Sequence, residues 1–174
     1  MKSVVPDASL FAFLTSRAAW EGVWGHVVRE AAQRSGATVF SAIVGDSFQE
    51  QEYRRAVAAI VKERAHAVLV GDQAEFLGRV PLIIELLEQV RLPAIYPYRP
   101  FVEAGGLIAY SADQADRARR AAGYIDRIFK GANPGDLPFQ QPATLELLIN
   151  LKTAKALGLT IPPSLLQRAD QVLE

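Results

Sequence analysis

Residues able to do chemistry are few in this chain, and those few stand at the ends of apolar runs. Asp46 follows the run TVFSAIV (38–44) and Asp72 follows AVLV (67–70). Acids at strand ends suggest a pocket for a metal ion and a phosphoryl group, as in a response-regulator receiver domain. That pocket also needs paired acids after the first strand and a lysine after the last. Thr15 and Ser16 stand in the first-strand position instead. Asp72 and Gln73 therefore read as polar groups that orient a small ligand or cap the next helix. His26 lies in a helix-spaced stretch and His66 just before a strand. Neither has an acid or nucleophile partner at a strand end, so both read as structural or exposed. The chain has no GxGxxG, GxxxxGK[ST] or GxSxG motif, which removes the dinucleotide fingerprint, the P-loop and the commonest serine-hydrolase signal. With no cysteine and 2 histidines, a thiol nucleophile, disulfides and a protein-built zinc site are also set aside. The expectation is a protein without catalytic residues, metal or cofactor.

A recognition surface has a better candidate. Tyr96, Tyr98, Phe101 and Tyr110 crowd the stretch LPAIYPYRPFVEAGGLIAY (92–110), where Pro97 and Pro100 stiffen a loop and Gly105-Gly106 allow close backbone approach. One strand ends here at Tyr96 and another begins at Leu107. Such a stretch can form a ligand-facing aromatic wall, and the same composition also describes a buried aromatic turn.

The elements that must position these residues follow from periodicity. Strands are expected at 9–14, 38–44, 67–70, 93–96, 107–110 and 145–151, with Thr15-Ser16-Arg17 a polar loop after the first. Helices are expected at 22–35, with Trp24 in the core, and from about Ser47, capped by Asp46 or Ser47, with Tyr53, Val57, Ile60 and Val61 on one face. A third spans 79–91 and is apolar around much of its circumference, so it needs cover on more than one side. A fourth carries the stripe Ala118, Ala121, Ala122, Ile125, Ile128 and Phe129 and stops at Gly131. After a short helix at 152–157, Ser164 caps a C-terminal helix with Leu165, Leu166, Ala169, Val172 and Leu173 on one side. Strands alternating with helices make an α/β fold, a mostly parallel doubly wound sheet covered on both faces. In such sheets ligands bind beyond the carboxyl ends of the strands, at 15–17, 45–47, 71–76 and 96–98.

Size and charge are consistent with a small-molecule binder. A chain of 174 residues that is 50% hydrophobic buries a real core. Equal numbers of basic and acidic residues, 19 each, offer no basic face, so nucleic acid is not an expected partner. No apolar run approaches the roughly 20 residues that span a bilayer. The N-terminal apolar patch 10–14 is too short for a signal peptide, so the chain as written reads as cytoplasmic.

FVEAGGL (101–107), AAGYIDRIFKGANPGDLP (121–138) and INLKTAKALGLTIPPSLLQRAD (149–170) carry a resemblance. From Leu92 to the C-terminus, and more loosely over 8–91, the chain is similar to the substrate-binding proteins of ABC transporters of the tryptophan/tyrosine-uptake type. Those resemble type I periplasmic binding proteins, in which two α/β lobes joined by hinge strands clamp a solute and deliver it to a permease. The resemblance implies one such lobe at 1–111, followed by crossover and C-terminal helical segments at 112–174 that pack on the same or a partner lobe. It implies a periplasmic setting for the family and a small amphipathic solute such as an aromatic amino acid. It places ligand-facing roles on Asp72, Gln73, Phe76, Tyr96 and Tyr98, and hinge or crossover roles on Phe101, Gly105 and Gly106. The family's Asn-Pro type loop after the first strand is absent here, as is a first lobe. If a complete site is worth about −8 kcal/mol, half its contacts leave about −4, near millimolar. The apolar segments after Leu107 then lack partners, and two chains are expected to associate as a homodimer. The other readings of the same fold are a homo-oligomeric interaction or sensor module that has lost ligand binding, and an enzyme on a doubly wound sheet.

Overall fold

The computed structural model describes residues 1–140 and 144–174. One seven-stranded sheet has the order β2-β1-β3-β4-β5-β6-β7. Its strands are β1 (Leu10–Ser16), β2 (Thr38–Val44), β3 (Ala67–Val70), β4 (Ala94–Tyr96), β5 (Ile108–Ala112), β6 (Leu145–Asn150) and β7 (Gln171–Leu173). The first five are parallel where they pair; β6 runs antiparallel to β5, and β7 lies parallel to β6. β1 is buried along almost its whole length, as a central parallel strand covered on both faces must be.

The two faces of the sheet differ. On one side α3 (Glu50–Lys62), α4 (Ala74–Leu77), α5 (Val80–Gln89) and α6 (Arg99–Glu103) seal Ala12, Leu14, Val44, Val68, Val70 and Tyr96 into the main core. α3 begins with a capping box between Gln49 and Glu52 and buries Tyr53, Ala56, Val57 and Ile60 at helical spacing. α5 buries five residues. The cover it needs on more than one side comes from the sheet, α3 and α6 of the same chain. The cap of α3 is Gln49 rather than Asp46 or Ser47; Ser47 Oγ instead donates to Glu52 Oε2 at 2.8 Å.

The opposite face is only partly covered. α1 (Arg17–Glu21) buries nothing, α2 (Val23–Arg34) buries only Gly25, and α7 (Gln114–Phe129) buries nothing. A Cβ on Gly25 would stand 1.8 Å from the Trp20 carbonyl oxygen, so α2 seats on α1 through its glycine. Trp20 takes the place beside Phe13, with ring centroids 6.4 Å apart. Trp24 is thereby turned outward and is 53% exposed, against the expectation that it is core.

Three further expectations change. Thr15-Ser16-Arg17 is not a loop: β1 runs to Ser16, whose Oγ accepts the Ala19 N–H and caps α1 directly. The segment after β4 is not a bare turn, because Pro100 enters the first turn of α6, where its fixed φ suits a helix. The C-terminal helix is replaced by α9 (Pro163–Leu166) and the edge strand β7, after α8 (Leu151–Ala156). Asp170 decides this. Its carboxylate accepts the Leu147 N–H at 2.8 Å and its own N–H donates to the Leu147 carbonyl at 2.9 Å, pinning the chain to β6 in extended form.

Two outcomes follow from this packing. Phe76→Ala, in the sealed core, lowers unfolding free energy in urea by about 3–5 kcal/mol, whereas Trp24→Ala changes it by less than about 0.5. Burial pushes the Tyr53 phenol up to about 12, so the unfolded chain ionises first and stability falls as pH rises from 10 toward 12. Alkaline titration of thermal stability shows this loss in the native chain and a smaller one in Tyr53→Phe.

Candidate functional site

A cleft of about 440 Å³ opens at the carboxyl ends of β3 and β4 on the partly covered face. Its floor is set by strand register. Phe13 pairs with Leu69 and Leu69 with Ile95, which places three apolar side chains of adjacent parallel strands in one row. Trp24 and Val28 of α2 form one wall, and Tyr110 with Arg117 of α7 stands opposite. Asp72 and Tyr98 close the end.

The loop after β3 is fixed by its own side chains. A Cβ at Gly71 would meet Gln73 Oε1 at 2.4 Å, so glycine lets the Gln73 amide fold back over the strand end. Tyr98 Oη donates to the Asp72 carbonyl at 3.0 Å and ties the ends of β3 and β4 together. The Tyr98 phenol is pushed up by burial and by the charge of Asp72, and is drawn back by Arg117. One hydroxyl thus feels an anion and a cation, and the cleft presents opposite charges around an aromatic ring. Three buried polar atoms near this end have no hydrogen-bond partner among the described residues: Thr15 Oγ1, Gln73 Oε1 and Ser111 Oγ.

The structure brings Asp72, Tyr96 and Tyr98 together at the cleft. It does not bring Phe76, which is fully buried against Tyr53, edge to face at 5.5 Å, and against Phe48 at 6.2 Å. Gln73 belongs to the rim by sequence, with its side chain turned onto Gly71. Tyr96 is buried, stacked on Phe101 at 5.0 Å, and its phenol is pushed up by that burial. Its ring also lines a second cavity of about 450 Å³ between α5, the Gly105-Gly106 turn and α8. Phe101 is fully buried, Gly105 has φ +110°, and a Cβ at Gly106 would stand 2.6 Å from Tyr96 Cε2. The glycine pair therefore allows the Tyr96–Phe101 stack to sit over the start of β5.

Sequence reasoning missed Trp24 and Arg117 as cleft residues. The available signal for Arg117 was Asp113, whose carboxylate accepts the Ala115 and Asp116 N–H groups and starts α7 at the strand end. That cap puts Arg117 in the first turn, at the height of the cleft. His66 is structural as expected: its Nδ1 accepts the Ser9 N–H at 3.1 Å. Among the described residues no cluster of three or more His, Cys, Asp or Glu could hold a metal, and no helix is long and apolar enough to cross a membrane.

The family model described as ABC transporter substrate binding protein matches residues 1–173. No curated protein matches the chain. Among solved structures, an ABC domain from Streptococcus pneumonia in complex with L-Trp is similar at a TM-score of 0.86 and 25% identity, covering 99% of this chain and 57% of that one. A conserved domain protein from Vibrio cholerae O1 biovar El Tor gives a TM-score of 0.83 at 20% identity, over 98% of this chain and 57% of that one. The ligand-free, open form of a substrate-binding protein with adhesive properties from Clostridium difficile gives 0.70 at 17% identity, over 99% and 57%. The chain thus spans little more than half the length of each of these structures. The matched family works on the extracytoplasmic side of the membrane, so the expected cytoplasmic setting finds no support.

The glycine turn yields a test of the site's construction. Gly106→Ala forces Tyr96 or the Phe101 carbonyl to move and costs about 1–3 kcal/mol of stability, read by urea unfolding. Gly123→Ala, on exposed α7 with open space around it, is neutral or stabilising.

Proposed function

The chain belongs to the family of ABC transporter substrate-binding proteins, and from that premise we propose that its cleft holds a small amphipathic solute, an aromatic amino acid, and performs no reaction on it. The observation that carries this reading is the placement of Asp72 and Arg117 around Tyr98, with Trp24 and Tyr110 beside them. An amino acid has matching parts: an ammonium for Asp72, a carboxylate for Arg117 and a ring for the aromatic side chains. The L-Trp held by the Streptococcus relative has this chemistry. The exposed aromatics Trp24 and Tyr110 give the ring a surface to stack on, and the row Phe13–Leu69–Ile95 gives it an apolar floor.

Asp72, Tyr98, Trp24 and Arg117 are the ligand-contacting residues in this proposal. Tyr96 supports the wall from behind, Gln73 rims it, and Phe76 serves the core alone. Phe101, Gly105 and Gly106 hold the turn leading into β5 and act as hinge structure. The segment from 112 onward forms the crossover, and an ABC permease is the receiving partner. One open cleft supplies part of the contacts of a closed site, so affinity near millimolar is expected for a single chain.

Titration of the purified chain with L-tryptophan, L-tyrosine and L-leucine, followed by NMR shift changes at millimolar ligand, tests the proposal. The aromatic amino acids bind more tightly than leucine. Asp72→Asn and Arg117→Gln each weaken binding about 10-fold or more, the loss expected for a charge-assisted hydrogen bond. Equal response to all three ligands, or unchanged affinity in both variants, rejects the assignment. The alternative of an interaction module without a solute draws on a different observation, the uncovered helices α2 and α7.

A further inference from the structure

Tyr96 follows Ile95 on β4, and because side chains alternate across a strand its ring leaves the cleft floor for the opposite face of the sheet. There it lines the cavity of about 450 Å³ between α5, the Gly105-Gly106 turn and α8. Ala94, Leu107 and Asn150 place that cavity at the amino ends of β4 and β5, away from the cleft. It marks a seam in the core. Ile84 and Leu87 belong to one apolar cluster, Leu107 and Leu157 to another, and all four line the space between. Two bonds fix the spacing of its walls: Thr153 Oγ1 donates to the Gly105 carbonyl at 2.6 Å, and Arg91 Nη2 donates to the Ala156 carbonyl at 2.8 Å.

The Tyr96 hydroxyl has no partner in this arrangement. Those of Tyr98 and Tyr124 donate to carbonyls, and that of Tyr53 is sealed in protein. Tyr96 Oη has neither a bond among the described residues nor a protein seal, although the residue is only 4% exposed, so its open side is the cavity it lines. Burial pushes its phenol up, which keeps it protonated and a donor. Asn150 is buried beside it. Its Oδ1 accepts the Thr153 N–H at 3.0 Å and its Nδ2 donates to the Val102 carbonyl at 3.4 Å, which leaves a second N–H for the cavity. Charged groups reach only the rim, where Glu88, Glu103 and Lys152 are exposed.

From this we propose that the cavity is a second binding site, which takes a small uncharged molecule, mostly hydrocarbon, with one oxygen that accepts a hydrogen bond from Tyr96. Three features select that class. Apolar walls with a few convergent polar groups suit a hydrocarbon body with one polar atom. An interior without a charged group cannot offset the desolvation of an ion, so the occupant is neutral. Two donors at the inner end call for an acceptor, because a buried donor left unbonded is costly. Size agrees as well: an apolar cavity of roughly 150 Å³ holds benzene, so this one holds one or two rings with a substituent. The site stands apart from the solute cleft, and neither reading depends on the other.

Benzyl alcohol, toluene and benzoate, titrated separately into the full chain and followed by backbone-amide NMR shifts, test the proposal. The alcohol and the hydrocarbon bind with dissociation constants of about 1 mM or below and move the amides of Gly105, Gly106 and Thr153, whereas benzoate binds at least about 10-fold more weakly. Tyr96→Phe weakens benzyl alcohol about 3- to 10-fold, the loss of one hydrogen bond, and leaves toluene unchanged. The Ile84 Cγ2 methyl lies 3.6 Å from where a Cβ on Gly105 would stand, so Ile84→Phe fills the cavity. It weakens both neutral probes at least about 10-fold with an unchanged far-UV circular dichroism spectrum; if that variant does not fold, the Tyr96→Phe comparison of alcohol with hydrocarbon decides alone. Shifts confined to Asp72, Gln73 and Tyr98 put the probes in the cleft and overturn the proposal. So do absence of binding by both neutral probes, equal binding of benzoate, and a Tyr96→Phe effect that is missing or the same for benzyl alcohol and toluene. L-Tryptophan moves the Asp72 and Tyr98 amides instead, so either site can fail while the other stands.

Discussion

The pairing of β1 with β3, and of β3 with β4, is the constraint on which the rest of the structure depends. Side chains alternate across a strand, so register alone decides which residues share a face. Phe13, Leu69 and Ile95 are aligned on one side, while Ala12, Leu14, Val68, Val70, Ala94 and Tyr96 are aligned on the other. The second set meets α3, α5 and α6 and becomes a sealed core. The first set meets Trp20 of α1, the cluster around Ile108 and Ile149, and α2, which sits on Gly25 and leaves Trp24 outside. A one-residue slip would exchange the two sets, burying the cleft floor and exposing the core. The cleft and the core are therefore two consequences of a single alignment.

The C-terminal half is held to that sheet by an apolar cluster around Ile108, Leu147, Ile149 and Ile161 and by a set of polar contacts. Arg99, at the start of α6, pairs with Glu146 of β6 at 2.6 Å and also bonds Gln171 of β7. Asp170 clamps Leu147 through both of its hydrogen-bonding groups, and Thr153 Oγ1 donates to the Gly105 carbonyl. These bonds join β6, β7 and α8 to the turn that carries Phe101 and Gly106. Tyr98 immediately precedes Arg99, so the residue closing the cleft is bonded to the one anchoring the last strands.

The polar groups of the cleft are few and stand at one end of it. It offers one carboxylate, one guanidinium and several rings at the carboxyl ends of parallel strands, with unpartnered hydroxyl and amide oxygens nearby.

Much of this was legible in the chain by itself. The runs 38–44 and 67–70 are strands with the expected limits, α7 and its stop at Gly131 follow from spacing, and the resemblance in 92–170 points to the family that the match over 1–173 shows. Local pattern suffices there because period, caps and turn residues act over a few neighbours. The sequence could not tell which side of an amphipathic stretch meets a partner. Trp24 reads as a core residue and Phe76 as a ligand-facing one, yet Phe76 is sealed between Tyr53 and Phe48 while Trp24 lines the cleft, because Gly25 and Trp20 set the roll of α2. Val172 and Leu173 fit a helical stripe as well as an edge strand, and the bonds of Asp170 to Leu147, 23 residues away, chose the strand. The sequence by itself determined most of the strands and the longer helices, the alternation that makes a mostly parallel sheet and the absence of catalytic motifs. Only the tertiary structure decided which face stays open, since that depends on how helices distant in the chain roll against one shared sheet.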